Sequence, residues 1–185
     1  MSRKYKFSDR EGLYFVTATT VNWIDVFTRN CYKHILLDSF RFCQKNQGLQ
    51  IHAWVLMPNH FHMICSFLHE NEPGLVLKNI KSYTAIKIID AIIKNQQESR
   101  KDFMLEVFEK HGILNKSNYR FQFWQHENHP VLLDTNQKIE QRLNYVHENP
   151  VRSGFVSSPE HWLYSSAIDY YTDNQKGLLE LVMIA

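Results

Sequence analysis

Residues 49–57 and 60–67 are two apolar, strand-like runs separated only by Pro58 and Asn59. Pro58-Asn59 punctuates the chain, and the second run alternates with period two from His60 to Phe67. So short a gap suits an antiparallel hairpin, because parallel strands need a crossover of about a dozen residues or more. The other elements must be arranged around that hairpin. Residues 14–21 are β-branched and aromatic and predict a strand. In residues 32–47, Leu36, Phe40 and Cys43 recur at helical spacing, with Gly48 as the stop. Residues 75–94 carry Leu77, Ile80, Thr84, Ile88 and Ala91 as one helical stripe, with Lys78, Lys81, Lys87 and Lys94 flanking it as an expected solvated face. Residues 96–116 predict a polar connection with a short amphipathic piece at 103–108. Residues 119–124 predict a fourth strand. Asp134 or Thr135 is expected to cap a helix running to Glu148, with Asn149-Pro150 ending it, because a residue before proline avoids the α region. The order βαββαβ plus one further helix predicts an α+β chain with a ferredoxin-like antiparallel sheet.

Composition narrows the function classes. The chain has 185 residues, 44% hydrophobic and 22% charged, the balance of an ordinary globular domain rather than a disordered, collagen-like or coiled-coil chain. A single domain over 1–185 is expected, with residues 1–12 as a basic arm and 157–185 as a C-terminal tail. No apolar run approaches the roughly 18 residues of a membrane helix, and the start of the chain lacks the apolar stretch of a secretory signal. Cys31, Cys43 and Cys65 form no C-x-x-C pair, so neither a disulfide framework nor a zinc knuckle is expected and a cytoplasmic setting is the default. A net charge of +2 does not by itself announce nucleic acid.

Two constellations carry chemistry. In Pro58-Asn59-His60-Phe61-His62, an extended backbone turns His60 and His62 to one face and Phe61, Met63, Cys65 and Phe67 to the other. Their Cα atoms lie roughly 6.6 Å apart, close enough for both imidazoles to reach one divalent cation. The plain alternative is two polar residues on the outer face of a half-buried strand. On the last predicted helix, Ile139, Leu143 and Val146 form the core stripe. Tyr145 lies about 120° from its centre, on the side of Lys138, Arg142 and Asn149. A tyrosine beside two cations and an amide suits a phosphate-facing surface, or else the edge of the core. A tyrosine hydroxyl can attack a phosphodiester if a metal neutralises the phosphate. The chain has no Gly-rich phosphate loop and no paired acidic residues of the kind that hold two metals.

Taken together, the blocks resemble the single-tyrosine HUH transposases of bacterial insertion sequences, and most of all the REP-associated tyrosine transposases. The residues that carry the likeness are 53–62 (AWVLMPNHFH), 145–156 (YVHENPVRSGFV) and 162–166 (WLYSS). The resemblance implies that the extra helix is catalytic, that Tyr145 is the nucleophile, and that His60, His62 and Asn149 hold a metal, Mg²⁺ or Mn²⁺ in use. Other members often have Gln, Glu or His where this chain has Asn149; a neutral amide binds more weakly, and His147 or Glu148 remain open as alternatives. The implied partner is a single-stranded DNA hairpin, REP-like or from an insertion-sequence end, cut through a 5′-phosphotyrosine intermediate by a monomer or homodimer. Arg3, Lys4, Lys6 and Arg10 in the N-terminal arm, with Lys138, Arg142 and Arg152, are the candidate phosphate contacts. Tyr5, Phe7, Trp23 and Tyr119 are candidate stacking surfaces for unpaired bases. His126 and His129 read as ordinary loop residues. Two rivals stay open: a non-catalytic module that binds structured single-stranded DNA or RNA, and a small hydrolase using the two histidines with a metal-bound water.

Overall fold

A computed structural model of the chain describes residues 7–68, 72–114, 120–126, 130–173 and 175–184. Its strands are β1 (Tyr14–Thr19), β2 (Leu49–Leu56), β3 (His60–Phe67) and β4 (Val131–Leu132), and its helices α1 (Asn30–Asn46), α2 (Pro73–Lys94), α3 (Lys101–Leu114), α4 (Asn136–Arg152) and α5 (Ala167–Tyr171). The sheet order is β2-β3-β1-β4, and each described pairing is antiparallel. That is the split βαβ arrangement expected from the element order. The hairpin forms as predicted, with Leu56 opposite Phe61 and Leu49 opposite Phe67.

The sheet is buried on both faces, and this positions the site. Tyr14, Val16, Ala18, Phe61, Met63, Cys65 and Phe67 join residues of α1, α2 and α3 in the main core. Phe15, Ala53, Val55 and Ile64 face the other way and pack under α4, through Val146, Ile139, Leu143 and Tyr145. A register shift between Ile51 and Ala53 makes this possible on β2. Strict alternation would put residues 51 and 53 on one face. The extra residue, His52, lets Ile51 and Trp54 enter the main core while Ala53 and Val55 meet α4.

Four expectations change. Residues 121–123 are not a strand; Trp124 makes only an isolated bridge with Thr20, and the ladder with β1 is made by Val131 and Leu132. Phe123 and Trp124 are both buried, with rings 4.8 Å apart, which the alternating faces of a regular strand would not allow. Pro130, lacking an N–H, stands just before the ladder resumes. Next, α3 extends well beyond the short piece expected at 103–108, with Met104 and Phe108 buried against the core.

Third, α4 passes through Pro150 and ends at Arg152. Its stop is Gly154, at φ 75°: Phe155 N–H donates to Pro150 O (2.9 Å) and Gly154 N–H to Val151 O (2.9 Å), the paired bonds of a Schellman cap. Proline in the last turn removes one helical bond, and the glycine cap satisfies the carbonyls beyond it. Fourth, Lys81 is not on a solvated face. It donates to Gln125 O at 2.7 Å, and burial pushes its ammonium down to about 8.

The C-terminal residues are part of the fold rather than a loose tail. Trp162 Nε1 donates to Leu56 O (3.0 Å), Leu56 N–H to Tyr164 O (2.8 Å), Ser166 N–H to Trp54 O (2.9 Å) and Val182 N–H to Ile51 O (2.9 Å). Together they cover the outer edge of β2, which would otherwise present unpaired backbone groups. No helix among the described residues is long and apolar enough to cross a membrane. All three cysteines are free thiols, and burial raises Cys43 to about 11.

Candidate active site

The site lies on the sheet face under α4. His60 and His62 project from β3 on that face, with ring centroids 4.7 Å apart. Strand pairing places Thr17 opposite His62 and Thr19 opposite His60. Helix α4 crosses this surface and brings the Tyr145 ring to 5.0 Å from the His62 ring and 6.0 Å from Phe15. Phe15 stacks on His62 at 5.2 Å. The Arg142 guanidinium lies over both the Phe15 ring (4.8 Å) and the Tyr145 ring (5.9 Å). Two imidazoles, a phenol and a guanidinium, far apart in the chain, thus share one patch.

Both imidazoles are neutral well below neutral pH. Burial pushes His60 down to about 4. Burial, then the charges of His60 and Arg142, push His62 to about 3. Neutral imidazole is the form that binds metal. Both rings engage Nδ1 in a hydrogen bond. His60 Nδ1 meets Asn59 Oδ1 at 2.7 Å, and His62 Nδ1 meets Thr17 Oγ1 at 2.7 Å. His62 Nε2 is buried with no partner, a donor atom that the fold has desolvated and left unused.

The remaining donors fit a cation only in part. Among the described residues no cluster of three His, Cys, Asp or Glu forms. A third protein ligand would therefore be of another type, and Asn149 is an amide one helical turn from Tyr145, itself buried. The two alternatives face elsewhere. His147 Nε2 bonds Ser166 Oγ at 2.9 Å and its ring packs on Tyr170 and Tyr171. Glu148 acts electrostatically on Tyr171 on that same side.

The other candidates are scattered. Lys138 pairs with Asp134 at 2.7 Å at the start of α4, and Arg152 is exposed at its far end. Arg3, Lys4, Lys6, Tyr5, Tyr119 and His129 lie outside the described residues. Phe7 is no free stacking surface, since it packs edge-on against Tyr14 (4.7 Å) and Phe67 (5.6 Å). Trp23 is 58% exposed and stands edge-on to His60 at 5.7 Å. Thr17 and Phe15 carried no linear signal. Asn59 was visible beside His60, but its bond to the ring was not.

Comparison with known proteins bears on the family and the fold. An Escherichia coli K12 protein named REP-associated tyrosine transposase is 21% identical over 178 residues, covering 96% of this chain and 88% of its own. A Haemophilus influenzae relative is 21% identical over 155 residues, 84% of this chain and 79% of its own. A solved structure of a REP-associated tyrosine transposase bound to a REP hairpin superposes with a TM-score of 0.61 at 18% identity, covering 98% of this chain and 99% of that one, and so shares its fold. The profile of the family described as "Transposase IS200 like" matches residues 13–107, just over half of the 185 residues and including both site histidines, and the chain belongs to that family.

Proposed function

We propose that the protein is a metal-dependent endonuclease and strand transferase for single-stranded, hairpin-containing DNA, working in the cytoplasm. The observation that carries this reading is the Tyr145 ring at 5.0 Å from His62, whose ring is 4.7 Å from His60. His60 and His62 would hold a Mg²⁺ or Mn²⁺ ion with the amide of Asn149, and the chemistry such an ion supplies is neutralisation of the scissile phosphate. Tyr145 Oη attacks the phosphorus in line. The P–O3′ bond breaks as the Tyr–O–P bond forms, leaving a 5′-phosphotyrosine and a free 3′-hydroxyl. The phenolic proton passes to solvent and the departing 3′-oxygen takes one up. Attack by a different 3′-hydroxyl reverses the step and joins strands without an external energy source.

Substrate contacts follow from the same surface. Arg142 places positive charge beside Tyr145 and Arg152 is exposed at the far end of α4, and the resemblance adds Arg10, Arg3, Lys4 and Lys6 as phosphate contacts. Lys138 is held by Asp134 and would contribute less. Trp23 offers a stacking face for an unpaired base next to His60. The fold shared with a protein bound to a REP hairpin supports a hairpin as substrate.

A labelled hairpin with a single-stranded flank, incubated in Mg²⁺ or Mn²⁺, tests the reading. The native chain should give a protein–DNA species that survives denaturation. Tyr145→Phe should abolish that adduct and lower cleavage by roughly a thousandfold or more. Cleavage that persists in Tyr145→Phe but is lost in His60→Ala would mean hydrolysis by a metal-bound water instead. Binding without cleavage in the native chain would mean a DNA-binding module. Trp23→Ala should weaken single-strand binding by about 1–3 kcal/mol while leaving the adduct chemistry in place.

A further inference from the structure

We propose that Asn59 and Asp25 are positioning residues that lock His60 into the single tautomer able to bind a cation through Nε2, while Thr17 leaves His62 free to adopt either tautomer. The inference rests on the metal-site reading of His60 and His62. It assigns roles to three residues that are not themselves candidate ligands.

The amide orientation of Asn59 is determined by its partners. Asn59 Nδ2 lies 2.8 Å from Asp25 Oδ1 and 3.2 Å from Trp23 O. Both of these can only accept, so the atom facing them must be the NH₂ group. Oδ1 is then the atom 2.7 Å from His60 Nδ1. A carbonyl oxygen cannot donate, so Nδ1 must carry the proton and Nε2 keeps a bare lone pair. A solvent-exposed histidine side chain in water favours the opposite tautomer, with the proton on Nε2. The fold reverses that preference before any cation arrives.

The lock is itself held rigid. Asp25 and Trp23 lie in the segment after β1, where Asn22 and Trp23 both have positive φ, 52° and 54°. Left-handed backbone at two consecutive non-glycine residues is strained, and such strain persists only where surrounding contacts impose it. His111 Nε2 meets Asn22 Oδ1 at 2.9 Å. Arg100 donates to Asp25 O (3.0 Å) and to Thr28 Oγ1 (3.0 Å), and Arg29 pairs with the buried Glu98 at 2.6 Å. Thr20 N–H and Oγ1 both donate to Asn59 O, at 2.9 and 3.1 Å. The turn aims the Trp23 carbonyl at the Asn59 amide, which gives the strain a purpose.

His62 is treated differently. Its Nδ1 partner is a hydroxyl, Thr17 Oγ1, which can donate or accept by rotating its proton. His62 can therefore exchange tautomers until a cation claims Nε2. His60 is the preset donor and His62 the adjustable one.

Imidazole ¹⁵N–¹H correlation spectra of the metal-free full-length protein at neutral pH read the tautomers directly. The native chain should show His60 protonated at Nδ1 only. Asn59→Leu should move His60 toward the Nε2–H form and weaken Mn²⁺ binding, read by electron paramagnetic resonance, by about tenfold. Asp25→Ala removes one of the two acceptors that orient the Asn59 amide and should shift His60 part of the way toward the Nε2–H form. Thr17→Val should weaken Mn²⁺ binding and Thr17→Ser restore it. A native His60 protonated at Nε2, or an Asn59→Leu variant with unchanged tautomer and Mn²⁺ affinity, overturns the proposal. Absence of Mn²⁺ binding in the native chain with the Nδ1–H signature intact overturns the metal-site reading instead.

Discussion

His62 and His147 are buried and His60 is half-buried, and all three imidazoles are held neutral, at about 4 for His60, 3 for His62 and 4 for His147 against an ordinary 6.5. Their lowered values make a stability prediction. Below about pH 6.5 the unfolded chain protonates these residues and the folded chain does not, so each proton taken up favours unfolding. Stability contributed above pH 6.5 is lost progressively as pH falls toward 4 and below. Urea unfolding midpoints should therefore drop between pH 7 and pH 5, and replacing the fully buried His147 by Gln should flatten that slope. A midpoint independent of pH over this range would contradict the burial of these rings. At this scale the sequence was informative about residue type. His-x-His on an alternating strand already put both rings on one face, because side chains alternate whatever the rest of the fold does. It was silent on their partners. Thr17 meets His62 only because β1 pairs with β3 in one register, and 45 residues of chain separate them.

Helix α4 determines where Tyr145 points. Its start was legible: Thr135 Oγ1 accepts from Lys138 N–H at 3.3 Å, and Ser or Thr before an amphipathic run is the usual signal. Thr135→Ala should cost about 1 kcal/mol, seen as a fall of about 2–4 °C in Tm for a chain of this size. Its end was misread, because a proline in the last turn is tolerated where a glycine cap follows. Gly154→Ala should destabilise the chain, since φ 75° disfavours a side chain even though open space surrounds the position. The rotation of α4 is set by contacts on both sides. Val146 anchors it to the sheet, and His147 reaches Ser166, which in turn bonds Trp54 N–H at 2.9 Å. Ser166→Ala should loosen this anchor and slow adduct formation more than it weakens DNA binding, as expected when a nucleophile is misplaced. The fourth strand was misplaced for a different reason. Residues 121–124 have strand composition, but Phe123 and Trp124 serve as core plugs beside Phe27.

The molecule as a whole is a sheet with helices α1, α2 and α3 on one face and α4 on the other, its β2 edge covered by residues 162–166 and 182. Removing residues 173–185 should uncover part of that edge and expose the buried Leu179 site. The truncated chain should self-associate, and light scattering during size-exclusion chromatography would register it. A truncated chain that keeps the native chain's oligomeric state would show that residues 162–166 protect the edge alone. What the sequence determined by itself was local. Periods of 2 and 3.6, caps and breakers dictate where strands and helices form, and their order admitted the split βαβ sheet. Backbone sterics act over a few residues, so a few residues suffice to read them. Which groups share a site was decided only by tertiary structure. The β2 bulge at His52, the pairing of Thr17 with His62, the turn that aims Asn59, and the passage of Tyr145 over the imidazoles all depend on register and packing between distant elements. Linear spacing carries no distance between such elements. Their separation in space follows from which apolar faces bury against one another, and that is a property of the folded whole.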